Sequence, residues 1–195
     1  RTGNLDTVLA GIEAAKQAGF KKLKLNAVIM KGRNEDEIVD LAHFALDNEM
    51  DISYIEEMPL GHVSHQREES FFSSDEVLAE LTKSFDLQSS ISQTPGPSRY
   101  YQVANRANKI GFISPHSHNF CDSCNRVRVT TEGRLLLCLG QEHSVDLRAI
   151  IRNYPGDVER LKQAIIDSMA IKPKGHEFDI KAQPVLFRHM SVTGG

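Results

Sequence analysis

The sequence predicts an α/β fold: parallel strands with covering helices, an α/β layer or part of a barrel, followed by a smaller α+β region. Three observations lead there. Residues 1–61 alternate helix, strand, helix, strand. After Gly61 the texture changes, and a polar loop opens a run of short strands. The length, 195 residues with 40% hydrophobic, is enough for one sizeable core, or for one domain plus a small satellite.

From Asn4 to Phe20, Leu5, Val8, Leu9, Ile12 and Ala15 fall on one helical face, and Gly19 stops the helix. Phe20 to Met30 reads as a strand ended by Lys31-Gly32. Asn34 is expected to cap a second helix, with Glu37 at the capping-box position. Asp51 to Met58 is the second strand, ended by Pro59-Leu60-Gly61. A soft boundary near residue 62 separates residues 1–61 from 62–195. Beyond it Ser73-Ser74 caps a third helix. Leu87–Ser92, Tyr100–Ala104 and Lys109–Ile113 are strand-like, with a turn at Thr94-Pro95-Gly96-Pro97. Arg126–Thr130 and Arg134–Leu139 form a hairpin closed by Glu132-Gly133, and helices follow at Val145–Arg152 and Gly156–Met169. The stretch Gln183–Gly195 has little periodicity and ends in Gly-Gly, which frays unless a space too narrow for any side chain takes it.

Composition argues against several classes. Charged residues make up 25%, and neither they nor the apolar fraction fit disorder, collagen or a coiled coil. No apolar run is long enough to span a membrane, and no signal-like start is visible. A net charge of -3 suits a nucleic-acid binder poorly. Three cysteines are an odd number and no disulfide scaffold. The expectation is a cytoplasmic protein with neither membrane nor nucleic acid as partner. Because it opens at Arg1 directly into a helical pattern, it is expected to be a piece of a longer one.

All three cysteines lie in one cluster: Cys121-x2-Cys124, then Cys138 on the far side of the hairpin. In a reducing compartment such clustering points to metal. Zinc would need a fourth ligand, for which His116 or His118 is available, giving a Cys3His site. An iron–sulfur cluster held by three thiolates would instead leave one iron open. Spacing leaves both readings standing.

Charge placement separates them. From Leu87 to Cys121 there is one stretch with no Asp or Glu, yet it carries Arg99, Arg106 and Lys109. Arg126 and Arg128 alternate with Val127 and Val129, so both guanidiniums leave one face of a strand, with Arg134 across the hairpin. Paired guanidiniums repel unless an anion lies between them, and their forks match phosphate oxygens. The blander account is a basic strand offsetting an anionic cluster. Earlier in the chain, Lys24 and Asn26 share one face of the first strand, which a covered parallel sheet would make costly unless that face is a polar cavity or a wet edge.

The segment NFCDSCNRVRVTTEGRLLLCLG, from Asn119 to Gly140, resembles the C-terminal cluster motif of the GTP 3',8-cyclase family of molybdenum cofactor biosynthesis, within the radical-SAM superfamily. LDTVLAGIEAAKQAGF, KLKLNAVIMKGRNEDEI, YIEEMPLGH and the terminal MSVTGG resemble further stretches of that family in the same order. The resemblance implies that residues 1–61 are the last units of an incomplete TIM-like radical-SAM barrel and 62–195 an auxiliary iron–sulfur domain. It implies that the Gly-Gly tail reaches into the active site of the complete enzyme.

The same resemblance implies roles. Cys121, Cys124 and Cys138 would bind a 4Fe–4S cluster whose open iron contacts guanine. Lys24, Arg126, Val127 and Arg128 would bind GTP, and Met58 would line the S-adenosylmethionine site. The family's N-terminal Cys-x3-Cys-x2-Cys loop, which holds the second, S-adenosylmethionine-cleaving 4Fe–4S cluster, has no counterpart here. In the complete lyase a 5'-deoxyadenosyl radical takes hydrogen from the ribose 3' carbon of GTP. The resulting radical adds to C8, giving (8S)-3',8-cyclo-7,8-dihydroguanosine 5'-triphosphate. The implied partners are GTP, the N-terminal half of the same enzyme, and a second copy in a homodimer. Many relatives carry Arg where this chain has Ser53, so Ser53 receives no role. Two other readings stand beside this one: a zinc-stabilised binding module without chemistry, and an auxiliary-cluster domain of another radical-SAM enzyme.

Overall fold

The computed structural model describes residues 3–61, 63–91 and 96–181. The terminal Gly-Gly tail, and Thr94-Pro95 of the expected turn, lie outside the described residues. The chain divides into two compact units, Arg1–Glu56 with Phe72–Ser117, and Glu57–Phe71 with His118–Gly195.

The first unit is a mixed α/β layer. Strands β1 (Lys24–Ile29), β2 (Asp51–Glu56), β3 (Leu87–Ser89), β4 (Arg99–Val103) and β5 (Lys109–Ile113) form one sheet in the order β1-β2-β5-β4-β3. β1, β2 and β5 run parallel, while β4 and β3 add antiparallel pairs. The register places Asn26 beside Ser53 and Ser53 beside Gly111. Asp51 Oδ1 fixes the β2–β5 start by accepting the Lys109 amide at 2.8 Å. Helices α2 (Ile38–Asp47) and α4 (Ser74–Leu81) cover one face, burying Ile38, Ala42, Leu46, Val77 and Leu81 against Ile52, Tyr54 and Ile110. The Tyr54 hydroxyl keeps a partner in that core, donating to the Ile38 carbonyl at 2.7 Å.

Two local expectations change. Asn34 does not cap the second helix with its side chain. Its amide turns back to β1 instead, accepting from the Met30 amide at 2.8 Å and donating to the Val28 carbonyl at 3.0 Å, so the helix enters through a 3-10 turn over Glu35–Glu37. A full capping box stands at α4, where Ser73 Oγ accepts the Glu76 amide and Glu76 returns the contact. Helix α1 (Leu5–Gln17) forms with Asn4 as its cap, but none of its residues is buried and Leu5 is 71% exposed. An apolar stripe fixes helical period, not the presence of a partner.

The second unit holds short elements: α3 (Arg67–Ser70), an antiparallel sheet β6-β7-β8 (Arg128–Val129, Arg134–Leu136, Ser144–Asp146), α5 (Leu147–Asn153) and α6 (Val158–Ala170). Its core is Leu135, Leu137 and Leu147, with Val145, Ile150 and Leu161 packed on them. The β6–β7 turn is made by Gly133 at φ 79°, a left-handed position where a Cβ would also meet Arg148 Cβ at 2.8 Å. Val145 is a strand residue paired with Leu135 rather than the start of a helix. Helix α5 begins after Asp146, whose Oδ1 accepts the Ala149 amide at 2.8 Å.

Candidate functional site

The cysteine turn is built by the backbone. Asn119 Oδ1 accepts the Cys121 amide at 2.7 Å, Cys121–Ser123 form a 3-10 turn, and the Cys124 amide closes on the Cys121 carbonyl at 3.0 Å. Cys138 follows β7 and the fully buried Leu137. All three are half-buried free thiols.

Cations gather at these sulfurs. Arg126 Nη2 lies 3.6 Å from Cys124 Sγ, and its guanidinium stands over the Phe120 ring at 5.0 Å. Burial disfavours the Cys124 thiolate. Arg126, through its amide, its charge and its guanidinium, outweighs burial with help from Lys172 and draws the thiol below its ordinary pKa. Burial and the neighbouring Arg126 lower the pKa of Arg128, while Cys124 and Cys138 pull it the other way. Arg128 is therefore within electrostatic reach of both sulfurs. Arg126 and Arg128 are half-buried, whereas Val127 and Val129 are exposed. Arg134 is engaged elsewhere: it donates to Ser144 Oγ at 2.8 Å and pairs with Asp146.

The remaining predicted residues take different settings. His116 belongs to the first unit, where its amide donates to Glu56 Oε2 at 2.9 Å. Among the described residues no three His, Cys, Asp or Glu side chains stand close enough to hold one metal ion. Lys24, on the edge strand β1, is exposed, with its ammonium 6.0 Å from the Tyr100 ring centroid. Ser53 is fully buried and shares a hydrogen bond of 2.9 Å with Ser98 Oγ. Met58 is half-buried in a turn where its carbonyl accepts the Leu60 amide at 2.8 Å.

Three groups carried no sequence signal. Arg67 clamps that turn, donating to the Leu60 and Gly61 carbonyls at 3.0 and 2.9 Å, while Glu57 holds Arg67, His65 at 2.7 Å and Ser70 at 3.0 Å. Glu56, 1% exposed, accepts from the amides of Ser74, His116 and Ser117 and from the Ser117 hydroxyl. Lys172 reaches the Leu137 carbonyl at 3.0 Å. A lysine after a helix, or a Glu at the end of a strand, gives no spacing to recognise.

Residues 50–178 match the family Molybdenum Cofactor Synthesis C. The chain belongs to that family. It is 59% identical over 196 residues to a "GTP 3',8-cyclase" of Saccharophagus degradans and 56% identical over 197 residues to one of Pseudomonas putida. A "GTP 3',8-cyclase 2" of Pseudomonas aeruginosa is 53% identical over 196 residues. The whole chain is covered in each case, and it spans 59% of the length of these curated relatives.

Cys121, Cys124 and Cys138 are thiol donors, the ligand type that iron–sulfur clusters take. Arg126 and Lys172 act on Cys124, and Arg128 on Cys124 and Cys138, with the positive charge an anionic group would need. A cubane takes each thiolate at a different iron and asks less of the spacing between sulfurs than a single zinc ion does. No helix among the described residues is long and apolar enough to cross a membrane.

Proposed function

We propose that the chain is the C-terminal portion of a GTP 3',8-cyclase acting in molybdenum cofactor synthesis. In this reading Cys121, Cys124 and Cys138 hold a 4Fe–4S cluster, and Arg126, Val127, Arg128 and Lys24 bind GTP. The observation that carries it is Arg126 Nη2 at 3.6 Å from Cys124 Sγ, within a chain matching cyclases over its whole length. When bound, the cluster supplies an iron open to the guanine base, and S-adenosylmethionine with the further cluster of the complete protein supplies the radical.

The residues do the binding and orienting. Arg126, held by the Phe120 ring, and Arg128 are half-buried guanidiniums whose planar forks suit phosphate oxygens, and partial burial strengthens such charge pairs. Phosphates also relieve their mutual repulsion. Lys24 adds an exposed ammonium on the edge strand β1. The hydroxyl of Ser53 is engaged by Ser98, so in this reading it gives no phosphate contact in place of the family's Arg. The Arg67-clamped turn presents Met58 to S-adenosylmethionine. Residues 1–61 would be the last units of the partial barrel and 62–195 the cluster domain, working with the N-terminal half in a cytoplasmic homodimer.

The test is anaerobic purification of the complete protein with metal and sulfide analysis, followed by GTP titration. Brown protein with iron, sulfide and saturable GTP binding supports the reading. Stoichiometric zinc without sulfide overturns it in favour of the zinc module. A cluster without GTP binding points to another radical-SAM enzyme.

A further inference from the structure

The segment after α6 touches both cysteine-bearing stretches. Lys172 Nζ donates to the carbonyl of Leu137, the residue before Cys138, at 3.0 Å. Gly175 lies against Cys121, where a Cβ would stand 3.7 Å from Sγ, and its carbonyl accepts from Gln141 Nε2 at 3.0 Å. His176 Nε2 meets Asn119 Nδ2 at 3.2 Å, and Asn119 in turn holds the Cys121 amide. His176 stacks on Phe178 with centroids 4.2 Å apart, above Gly140, where a Cβ would meet His176 Cβ at 2.6 Å. Residues 172–178 thus form a strap across the chain on both sides of Cys138 and at Cys121.

Within this strap Lys172 differs from its neighbour Lys174. Lys174 is exposed, as a solvated lysine should be, while Lys172 is half-buried with its ammonium on a backbone carbonyl. An ammonium is a compact, strongly hydrated charge, and donation to a single backbone carbonyl fixes it at one point of the chain. That carbonyl belongs to the residue before Cys138, so the ammonium is fixed next to that cysteine. Neither the cysteine spacing nor the paired arginines involve Lys172.

We propose that Lys172 is a positioning residue of the cysteine site: held on the Leu137 carbonyl, it tethers the chain end bearing Cys138 and keeps a fixed positive charge next to that cysteine. The proposal rests on the iron–sulfur reading above. Reduction adds one electron and makes a cluster more negative, so a nearby cation favours the reduced form. Residues behind metal ligands commonly change metal retention by about tenfold to a hundredfold when replaced.

The experiment uses the complete protein, anaerobically reconstituted, with Lys172→Met, Lys172→Arg and, as control, Lys174→Met. Two quantities are read: the midpoint potential of the cluster by spectroscopic redox titration, and the rate of iron loss to a chelator. Lys172→Met should lower the potential and speed iron loss about tenfold to a hundredfold. Lys172→Arg should restore both, and Lys174→Met should match the wild type. If Lys172→Met does not fold, Lys172→Gln supplies the charge-free variant for the same titration. A wild-type cluster whose potential and iron retention are unmoved by loss of the Lys172 charge overturns the role of Lys172 alone. A wild-type protein without iron and sulfide overturns the cluster reading and this proposal together.

Discussion

Gly111→Ala tests how tightly the face beneath Ser53 is filled. Gly111 is in the middle of β5, with β2 on one side and β4 on the other. A Cβ there would stand 2.2 Å from Ser98 Oγ, 2.6 Å from Ser53 Oγ and 2.9 Å from Tyr100 Cε1. All three are closer than real Cβ contacts come. Both serines are buried and spend their hydroxyls on each other at 2.9 Å. Rotating Ser98 away breaks that bond, and moving a central strand disturbs two ladders. Overpacking of this kind costs about 1–3 kcal/mol. A buried hydroxyl left unsatisfied costs about 1–3 kcal/mol more. The stiffer unfolded chain returns about 0.4–1 kcal/mol. The expected net loss is about 1–5 kcal/mol, read as a fall in the urea midpoint of the complete protein at unchanged slope. Adding Ser98→Ala removes the shortest contact and should recover part of the loss. A loss under about 0.5 kcal/mol, the range of unremarkable surface changes, would refute the reasoning.

Other outcomes follow from the same geometry. Arg126→Ala or Arg128→Ala should keep the cluster but weaken GTP binding about tenfold to a hundredfold, and weaken guanosine binding less, since it has no phosphates; equal losses for both ligands in titration would leave these arginines with charge offset alone. Cys138→Ala should instead lower bound iron, and residues 1–195 should take up at most about four irons per chain, because one cluster uses every cysteine; eight irons per chain by elemental analysis would contradict this. Glu56 should make stability pH-dependent. Burial raises its pKa, but its hydrogen bonds from Ser117, Ser74 and His116 outweigh burial and hold it below the ordinary value of 4.5. Its contribution is therefore fully present above that value and lost as pH falls through the lower folded one. Glu56→Gln should be less stable by about 1–3 kcal/mol at neutral pH, with the two curves converging in acid; a gap constant from neutral to strongly acidic pH would rule this out.

The parts of this protein that rest on near neighbours were legible in the sequence. Cys121-x2-Cys124 needs one turn, Glu132-Gly133 one left-handed glycine, and the alternation of Arg126 and Arg128 with valines one extended stretch. Their signals are short-range. Even locally, competition between partners went unread: Asn34 has the chemistry of a cap, yet its amide satisfies Met30 and Val28 instead. Asp146 takes the cap of α5 and leaves Val145 to pair with Leu135.

Tertiary structure alone decided what distant segments do to one another. The sequence by itself determined that Lys109–Ile113 is a strand. Only the folded chain sets it parallel to β2 and so buries Ser53 between Ser98 and Gly111. Likewise Glu56 reads as one more acidic residue until amides from two later segments arrive at it. Lys172 reads as a solvated lysine until its ammonium meets the Leu137 carbonyl beside Cys138. A side chain's type is written at its own position. Its burial, its charge partners and the direction of its pKa shift are set by groups tens of residues away, and no local pattern encodes them.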